Sequence, residues 1–492
     1  ADTLAGLLER PRVGRTDDFF ALGGHSLMAM QLVARLRRRL GVELSVRAVF
    51  DAPTVEALAA HIETLQASGP SRPPLEPQAR PSEVPVSFAQ QRLWFLHQIE
   101  PESPAYNIPV AVRLTGPLSV DALRGALRHV VGRHEALRTR FVAPEGVPHQ
   151  VITPAAEAQA ALVVPVVDVS GAAEARQLAE AEASRPFSLE DEALVRATLI
   201  RIGAEEHVLL LTVHHIVADG WSMDLLVEEL TTLYGAALES AEESPEQALE
   251  GVLPALPVQY ADYALWQRGW LQGAALDEEL TYWRERLTGA PTVEIAPDFT
   301  RPAVPRYQGA LLRFLLSKAV SSWVRSFGQQ YQATPYMVFL AAFKVLVGRY
   351  TGQEDVVVGT DVAGRTEEAL SGLVGFFVNT LVLRTSVELD ASFEEVVSRV
   401  RETVLGAQQY GTVPFERVVE EVKPERDTSR HPLFQILFSW QDTAAQRGDG
   451  PLKPIADDLA VSTFGTSHQV AQFDLSLESS EDDGHFTAVV EY

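Results

Sequence analysis

Val208-Leu-Leu-Leu-Thr-Val-His214-His215-Ile-Val-Ala-Asp219-Gly220-Trp221-Ser222 is the stretch that decides how the larger part of this chain folds. A Val- and Leu-rich strand runs straight into two histidines and then into a turn. Side chains alternate faces along a strand, so His214 and His215 point in opposite directions and cannot both enter one site. One histidine is free to face a substrate channel while the other is held in packing. Adjacent strand positions do not converge on one ion, and no further His or Asp cluster supports a metal. The exposed histidine could hydrogen-bond an attacking amine or take its proton. Asp219 lies four residues on, past a bend, either as a catalytic group or as an ion-pair strut that fixes the loop; the strut is favoured. Gly220 is expected to take a backbone conformation that other residues resist.

Outward from this stretch, strand and helix signals alternate. Val110–Leu114, Asp355–Gly359 and Leu381–Arg384 read as further strands, and Val120–His134, Met223–Tyr234, Thr334–Arg349 and Phe393–Gln408 as helices. The large unit is therefore α/β, of two lobes given its length. Residues 66–84 contain five prolines and almost no large apolar side chain. Proline fixes φ and removes amide donors, so this stretch is expected neither to pair nor to pack. As a semi-extended linker it would span up to roughly 60 Å. Before it lies a small all-helical unit. Leu32, Leu36 and Leu40 recur at helical spacing up to Gly41, and Pro53-Thr54 opens a second amphipathic stretch from Val55 to Ile62.

Composition excludes several classes. The 492 residues hold 41 basic and 66 acidic side chains, a net charge of −25, which argues against nucleic acid as a partner. Residues 1–65 are balanced at 8 and 8, so the excess belongs to the large unit. Cysteine is absent, which excludes disulfides, Cys-ligated zinc and a cysteine nucleophile. No apolar run reaches membrane-spanning length and the N-terminus lacks a signal pattern, so a cytoplasmic protein without a membrane partner is expected.

The small unit carries Asp17-Asp18-Phe19-Phe20-Ala21-Leu22-Gly23-Gly24-His25-Ser26-Leu27. Alone, Gly-Gly-x-Ser is the glycine turn of an ordinary capped helix. It also exposes a hydroxyl at a helix N-terminus, where a phosphodiester would sit well. With the Asp-Phe-Phe lead-in, residues 1–65 resemble a peptidyl carrier domain of nonribosomal peptide synthetases, a small four-helix fold. The resemblance implies 4′-phosphopantetheine on Ser26, added by a phosphopantetheinyl transferase. Its start looks a few residues short. Leu27, Met28 and Met30 serve either partner docking or the carrier's own core.

His-His-x-x-x-Asp-Gly in turn resembles the signature of condensation domains. Ser87-Phe-Ala-Gln-Gln-Arg-Leu-Trp94, Tyr260-Ala-Asp-Tyr-Ala-Leu-Trp-Gln267, Val374-Gly-Phe-Phe-Val-Asn-Thr380 and Arg430-His-Pro-Leu-Phe-Gln435 look like the family's other motifs, in order. The resemblance implies two chloramphenicol-acetyltransferase-like lobes, residues 85–262 and 263–492, around a tunnel with a carrier docking at each end. It makes His215 the tunnel-facing catalytic residue, His214 structural, and Asp219 a brace whose candidate partner is Arg365 in Ala363-Gly-Arg365. Asn379 matches a position near the lobe interface or is a turn asparagine; Arg92 and Trp94 pack lobes, and His129 and His134 are structural. The implied partners are a downstream aminoacyl carrier and adenylation domains, the chain being a piece that stops about a helix short. Asp219-Gly-Trp-Ser222 looks like domains that take L-donors. Epimerisation, ester formation and an inactive recruitment platform are the rival functions. Platforms of that kind typically lose the second histidine, which is intact here.

Overall fold

The computed structural model describes residues 1–65, 72–239, 249–302, 309–424, 427, 429–441, 458–465, 471–482 and 484–492. In the small unit the helices are α1 (Asp2–Leu7), α2 (Ser26–Leu40), α3 (Val46–Asp51) and α4 (Val55–Leu65). Gly41 ends α2 in the left-handed region at φ 64°, which costs glycine no Cβ clash. Phe19, Leu32, Leu44 and Val49 are fully buried between the helices.

The first lobe contains β1 (Val84–Pro85), α5 (Phe88–Ile99), β2 (Asn107–Thr115), α6 (Val120–Arg133), β3 (Thr139–Val142), β4 (His149–Ile152), α7 (Ala155–Ala161), β5 (Val166–Asp168), α8 (Ala172–Ala183), β6 (Val195–Gly203), β7 (Glu206–His214), α9 (Gly220–Glu239) and α10 (Tyr260–Trp270). The second contains α11 (Ala274–Leu287), β8 (Leu311–Leu315), α12 (Lys318–Gln330), α13 (Pro335–Thr351), β9 (Asp355–Val362), β10 (Asn379–Ser386), α14 (Phe393–Gln409), α15 (Phe415–Val422), β11 (Ile436–Gln441), β12 (Ala460–Thr463), β13 (Leu475–Asp482) and β14 (His485–Glu491). A five-stranded sheet, β12-β2-β7-β6-β5, carries the first lobe and a six-stranded one, β10-β9-β11-β13-β14-β8, the second. Strand β7 is central and buried from His207 to His214, which explains its unbroken apolar run.

The lobes exchange segments. Strand β12 leaves the second lobe to pair with β2, and residues 370–377 pack into the first lobe's core. The expected boundary after residue 262 falls inside α10. Tyr260, Tyr263 and Trp266 belong to the first core, and the second begins with Leu271, so the change of lobe comes at that helix's end.

The Pro-rich linker departs from expectation. Residues 66–71 lie outside the described part, but from Arg72 onward the chain runs extended and mostly exposed over the surface, tied down at several points. Trp266 Nε1 donates to the Pro73 carbonyl at 2.8 Å, and the Gln78 amide donates to Asp262 Oδ1 at 2.9 Å. Arg72 lies over the Trp270 ring and 3.6 Å from Glu279, Arg80 bridges Glu135 and Asp262, and Val84 pairs with Gln150. Proline removes N–H donors but leaves carbonyl acceptors, and the two arginines supply cations, so an extended strap still finds partners. The double variant Arg72→Ala/Arg80→Ala is expected to speed cleavage after Glu76 and Glu83 by a glutamyl endopeptidase several-fold. The variant also takes the cations away from the mostly buried Asp262 and Glu279, so global stability is expected to fall by about 2 kcal/mol. An unchanged cleavage rate would contradict the tied-down strap.

Candidate active site and carrier interface

The two histidines diverge as the strand geometry requires. His214 is buried beside Phe187, Tyr106 and His97, and its Nδ1 accepts from the Ile216 amide at 3.1 Å. Burial holds its pKa at about 3, so it is neutral at physiological pH. His215 opens a short 3-10 turn, with Nδ1 3.0 Å from the Ala218 carbonyl. A carbonyl only accepts, so Nδ1 carries the proton and Nε2 keeps its lone pair. Burial lowers the His215 pKa from 6.5, partly offset by the Asp219 charge. The side chain is therefore a neutral base, and among the described residues no hydrogen bond to its Nε2 is seen.

Asp219 is fully buried. Its Oδ1 accepts from the Ser222 amide (2.8 Å), the Ser222 hydroxyl (2.7 Å) and Arg365 Nη2 (3.1 Å), and its Oδ2 from the Phe377 amide (3.0 Å). Arg365 extends from Ala363-Gly364, lies 4.3 Å over the Phe377 ring and donates to the Leu370 and Leu373 carbonyls. Four donors thus hold the carboxylate in place. It fixes the turn after His215 to the segment crossing from the second lobe.

That segment, Val374 to Phe377, is held at every peptide. His134 Nε2 donates to the Glu229 carboxylate at 2.7 Å, which leaves Nδ1 to accept from the Val374 amide at 3.5 Å. Ser222 Oγ accepts from the Gly375 amide at 3.1 Å, and the Tyr260 hydroxyl donates to the Phe376 carbonyl at 2.6 Å while Ser87 Oγ lies 2.9 Å from it. The Phe376 ring then packs against His215 at 5.2 Å. A Cβ on Gly375 would meet the Tyr260 ring at 2.0 Å, and one on Gly364, with φ +64°, the Phe377 carbonyl oxygen at 1.9 Å. These are the glycines the site needs. Gly220 is not among them, because it begins α9 outside the positive-φ region and a Cβ there would meet nothing within 4 Å.

The remaining residues singled out from sequence fall around this node. Asn379 is no turn residue. It begins β10, donates to the Gly411 and Val413 carbonyls at 2.9 and 2.7 Å, and accepts from the Phe415 amide. Arg92 lies 3.4 Å from Glu416 and over the Phe415 ring, so it ties α5 to α15 across the lobes. A cavity between the lobes is walled by Arg92, Tyr263, Trp266, Phe376, Asn379 and Glu416. His134 is wholly buried against Glu229. The patterns gave no sign of Glu229, whereas Ser222, Tyr260 and Gly375 sit inside the quoted motifs without being marked out. Among the described residues no group of three or more His, Asp or Glu side chains is placed to hold a metal ion.

The small unit rests on the second lobe. Ser26 is the first residue of α2, half-buried, with no acidic side chain in that first turn and its Oγ 3.4 Å from Thr334 Oγ1 at the start of α13. Arg38 pairs with Glu368 (3.0 Å), Arg47 with Glu402 (2.8 Å) and Asp51 with Arg401 (3.2 Å). Met28 packs against the shared core and Met30 lines the junction; the Leu27 side chain lies outside the described part.

With this geometry in place, comparison with known proteins is direct. The condensation-domain family model matches residues 81–492, and the model described as a phosphopantetheine attachment site matches residues 1–62. The chain belongs to the condensation-domain family and carries a phosphopantetheine attachment site. It is 42% identical over its full length to a component protein of the linear gramicidin synthase of Brevibacillus parabrevis, and 41% identical over 98% of its length to the dimodular nonribosomal peptide synthase of Bacillus subtilis (strain 168). It spans only 10% and 20% of those proteins. The X-domain from teicoplanin biosynthesis aligns with 85% of this chain and 92% of its own at 30% identity and a TM-score of 0.74. A four-domain nonribosomal peptide synthetase bound to AMP and glycine aligns with 86% of this chain and 32% of its own at 26% identity and a TM-score of 0.72. The mixed α/β architecture of the large unit is that of condensation domains. Among the described residues no helix is long and apolar enough to cross a membrane.

Asp219→Ala is expected to destabilise the protein by about 3 kcal/mol, since it leaves the buried Arg365 charge uncompensated. Replacing both, as Asp219→Leu with Arg365→Met, should cost less than the sum of the single changes. A thermal melt of Asp219→Ala that overlays the parent would remove Asp219 from its role as strut.

Proposed function

We propose that this chain forms an amide bond between two carrier-bound substrates. Residues 1–65 act as a four-helix carrier for the donor, residues 66–84 as the connecting strap, and the two chloramphenicol-acetyltransferase-like lobes as the catalyst. The observation that carries this is the neutral His215, packed on Phe376, which walls the cavity between the lobes, in a chain whose Ser26 is seated on the second lobe.

Ser26 fits 4′-phosphopantetheine: its hydroxyl stands at a helix N-terminus free of acidic neighbours, where a phosphodiester is favoured. When bound, the group supplies a thiol that holds the donor acyl chain as an activated thioester. His215 Nε2 accepts a hydrogen bond from the acceptor amine, orienting its lone pair at the donor carbonyl. As the amide bond forms at the expense of the donor's thioester bond, Nε2 would take the amine proton and return it to the leaving group, which restores the neutral imidazole. Confining both substrates supplies most of the acceleration. Linking the donor carrier to the lobes keeps its local concentration high. His214 and Asp219 hold the turn, with Arg365, Asn379 and Gly375 supporting it. The acceptor is an aminoacyl carrier downstream, loaded by adenylation domains of the same assembly line. A phosphopantetheinyl transferase modifies Ser26, the donor terminus is an L-residue or glycine, and the setting is the cytoplasm.

One specific likeness favours a second function. An X-domain from teicoplanin biosynthesis, solved in complex with OxyB, aligns at 30% identity and a TM-score of 0.75, which suits a recruitment platform. The intact, correctly protonated His215 favours catalysis instead. Intact mass after transferase treatment should rise once in the parent and not in Ser26→Ala. The parent loaded with an L-terminated peptidyl-pantetheine should condense with an aminoacyl acceptor, and His215→Ala should lose about two or more orders of magnitude in turnover. Equal turnover of His215→Ala and parent would overturn the proposal.

A further inference from the structure

The face of α2 that meets the second lobe is a four-residue ladder. Ser26, Met30, Ala34 and Arg38 lie one above another, since residues four apart share a helix face. Ser26 stands at Thr334 and Arg38 at Glu368. Between them Met30 and Ala34 line a crevice whose opposite wall is Trp221, Arg365 and Ser371. Trp221 is two residues past Asp219, at the first turn of α9. It is only half-buried, its Nε1 donates to the Ser371 carbonyl at 3.0 Å, and the Arg365 guanidinium lies 5.6 Å from its ring.

We infer that Trp221 is a positioning residue that joins carrier docking to the catalytic turn. This rests on the proposal that Ser26 carries the donor. The indole walls the crevice that α2 closes, and its ring lies 5.6 Å from the guanidinium that anchors Asp219, four residues from His215. A rigid aromatic ring left half-exposed beside charged groups is the kind of side chain that anchors an interface. The surroundings fit the chemistry of α2. Glu367 and Glu368 border the crevice, and the end of α2 carries Arg35, Arg37, Arg38 and Arg39. Unlike charges at the rim orient the carrier, and the ring sets its depth. A donor borne on Ser26 therefore depends on this seat for its delivery toward His215, whereas a free thioester reaches His215 without using it.

The test compares two donors with a soluble aminoacyl thioester as acceptor: the peptidyl group on Ser26 of the full chain, and the same group as a free pantetheine thioester added to the Ser26→Ala chain. Trp221→Ala should lower the ratio of carrier-borne to free-thioester turnover about tenfold, and Trp221→Phe should restore most of it. Arg38→Glu and Glu368→Arg should each lower that ratio, and the two together should recover it, whatever the folding of the Trp221 variants. Trp221→Ala lowering both turnovers equally, or neither, would overturn the inference, as would charge reversals that leave the ratio fixed. A parent inactive on both donors would instead overturn the condensing function, and the inference with it.

Discussion

The Asp219–Arg365 pair is the constraint on which the rest of the large unit depends. It is completely desolvated, and its members come from different lobes, 146 residues apart. Such a pair is costly to bury unless further hydrogen bonds support both ions. Here Ser222 and Phe377 donate to the carboxylate and the Leu370 and Leu373 carbonyls take Arg365 Nη1, while Arg365 Nε is buried without a hydrogen-bond partner among the described residues. The same atoms that satisfy the pair also fix residues 374–377, so lobe closure and active-site geometry are one event. His215 is aimed by this arrangement without touching the charges directly.

Around the node, polar residues at long sequence separation do the joining and apolar surface does the filling. His134 and Glu229 present one acceptor to Val374, Tyr260 presents one donor to Phe376, and Asn379 holds three backbone groups of the 411–415 loop. Each stitches a catalytic-loop element to a lobe body at about the strength of one buried hydrogen bond. The small unit attaches differently, through exposed ion pairs over a patch continuous with the second lobe's core. Pairs of that kind are weak and reversible, which suits a carrier that must leave to be reloaded.

Local pattern made much of this legible. The alternation rule separated His214 from His215, the apolar runs located β2, β7, β9 and β10, and the periodicities located α6, α9, α13 and α14. What escaped was long-range. The linker at 66–84 read as unable to pair or pack because proline lacks N–H, yet from Arg72 onward its carbonyls and arginines met donors and carboxylates far away in sequence. The boundary after residue 262 ignored that α10 is one helix shared by two cores. Gly220 was assigned a backbone role that belongs to Gly364 and Gly375, because the need for a missing Cβ arises from Phe377 and Tyr260, partners no local window contains. Glu229 carried no pattern at all, since an acidic residue beside Glu228 on an amphipathic helix looks like solvated surface until His134 is found against it.

The central claim is that His215 is held neutral, with its proton on Nδ1 and its lone pair on Nε2. Nitrogen NMR of imidazole-labelled protein, with His215→Gln used to assign its signals, tests this most directly. Burial lowers the folded-state pKa, so protonation is deferred as pH falls: the base form should persist through the ordinary histidine midpoint of 6.5 and be lost only below it. The predicted spectrum at pH 7 shows a protonated Nδ1 and an unprotonated Nε2. An imidazolium at pH 7, or the proton on Nε2, would contradict the account.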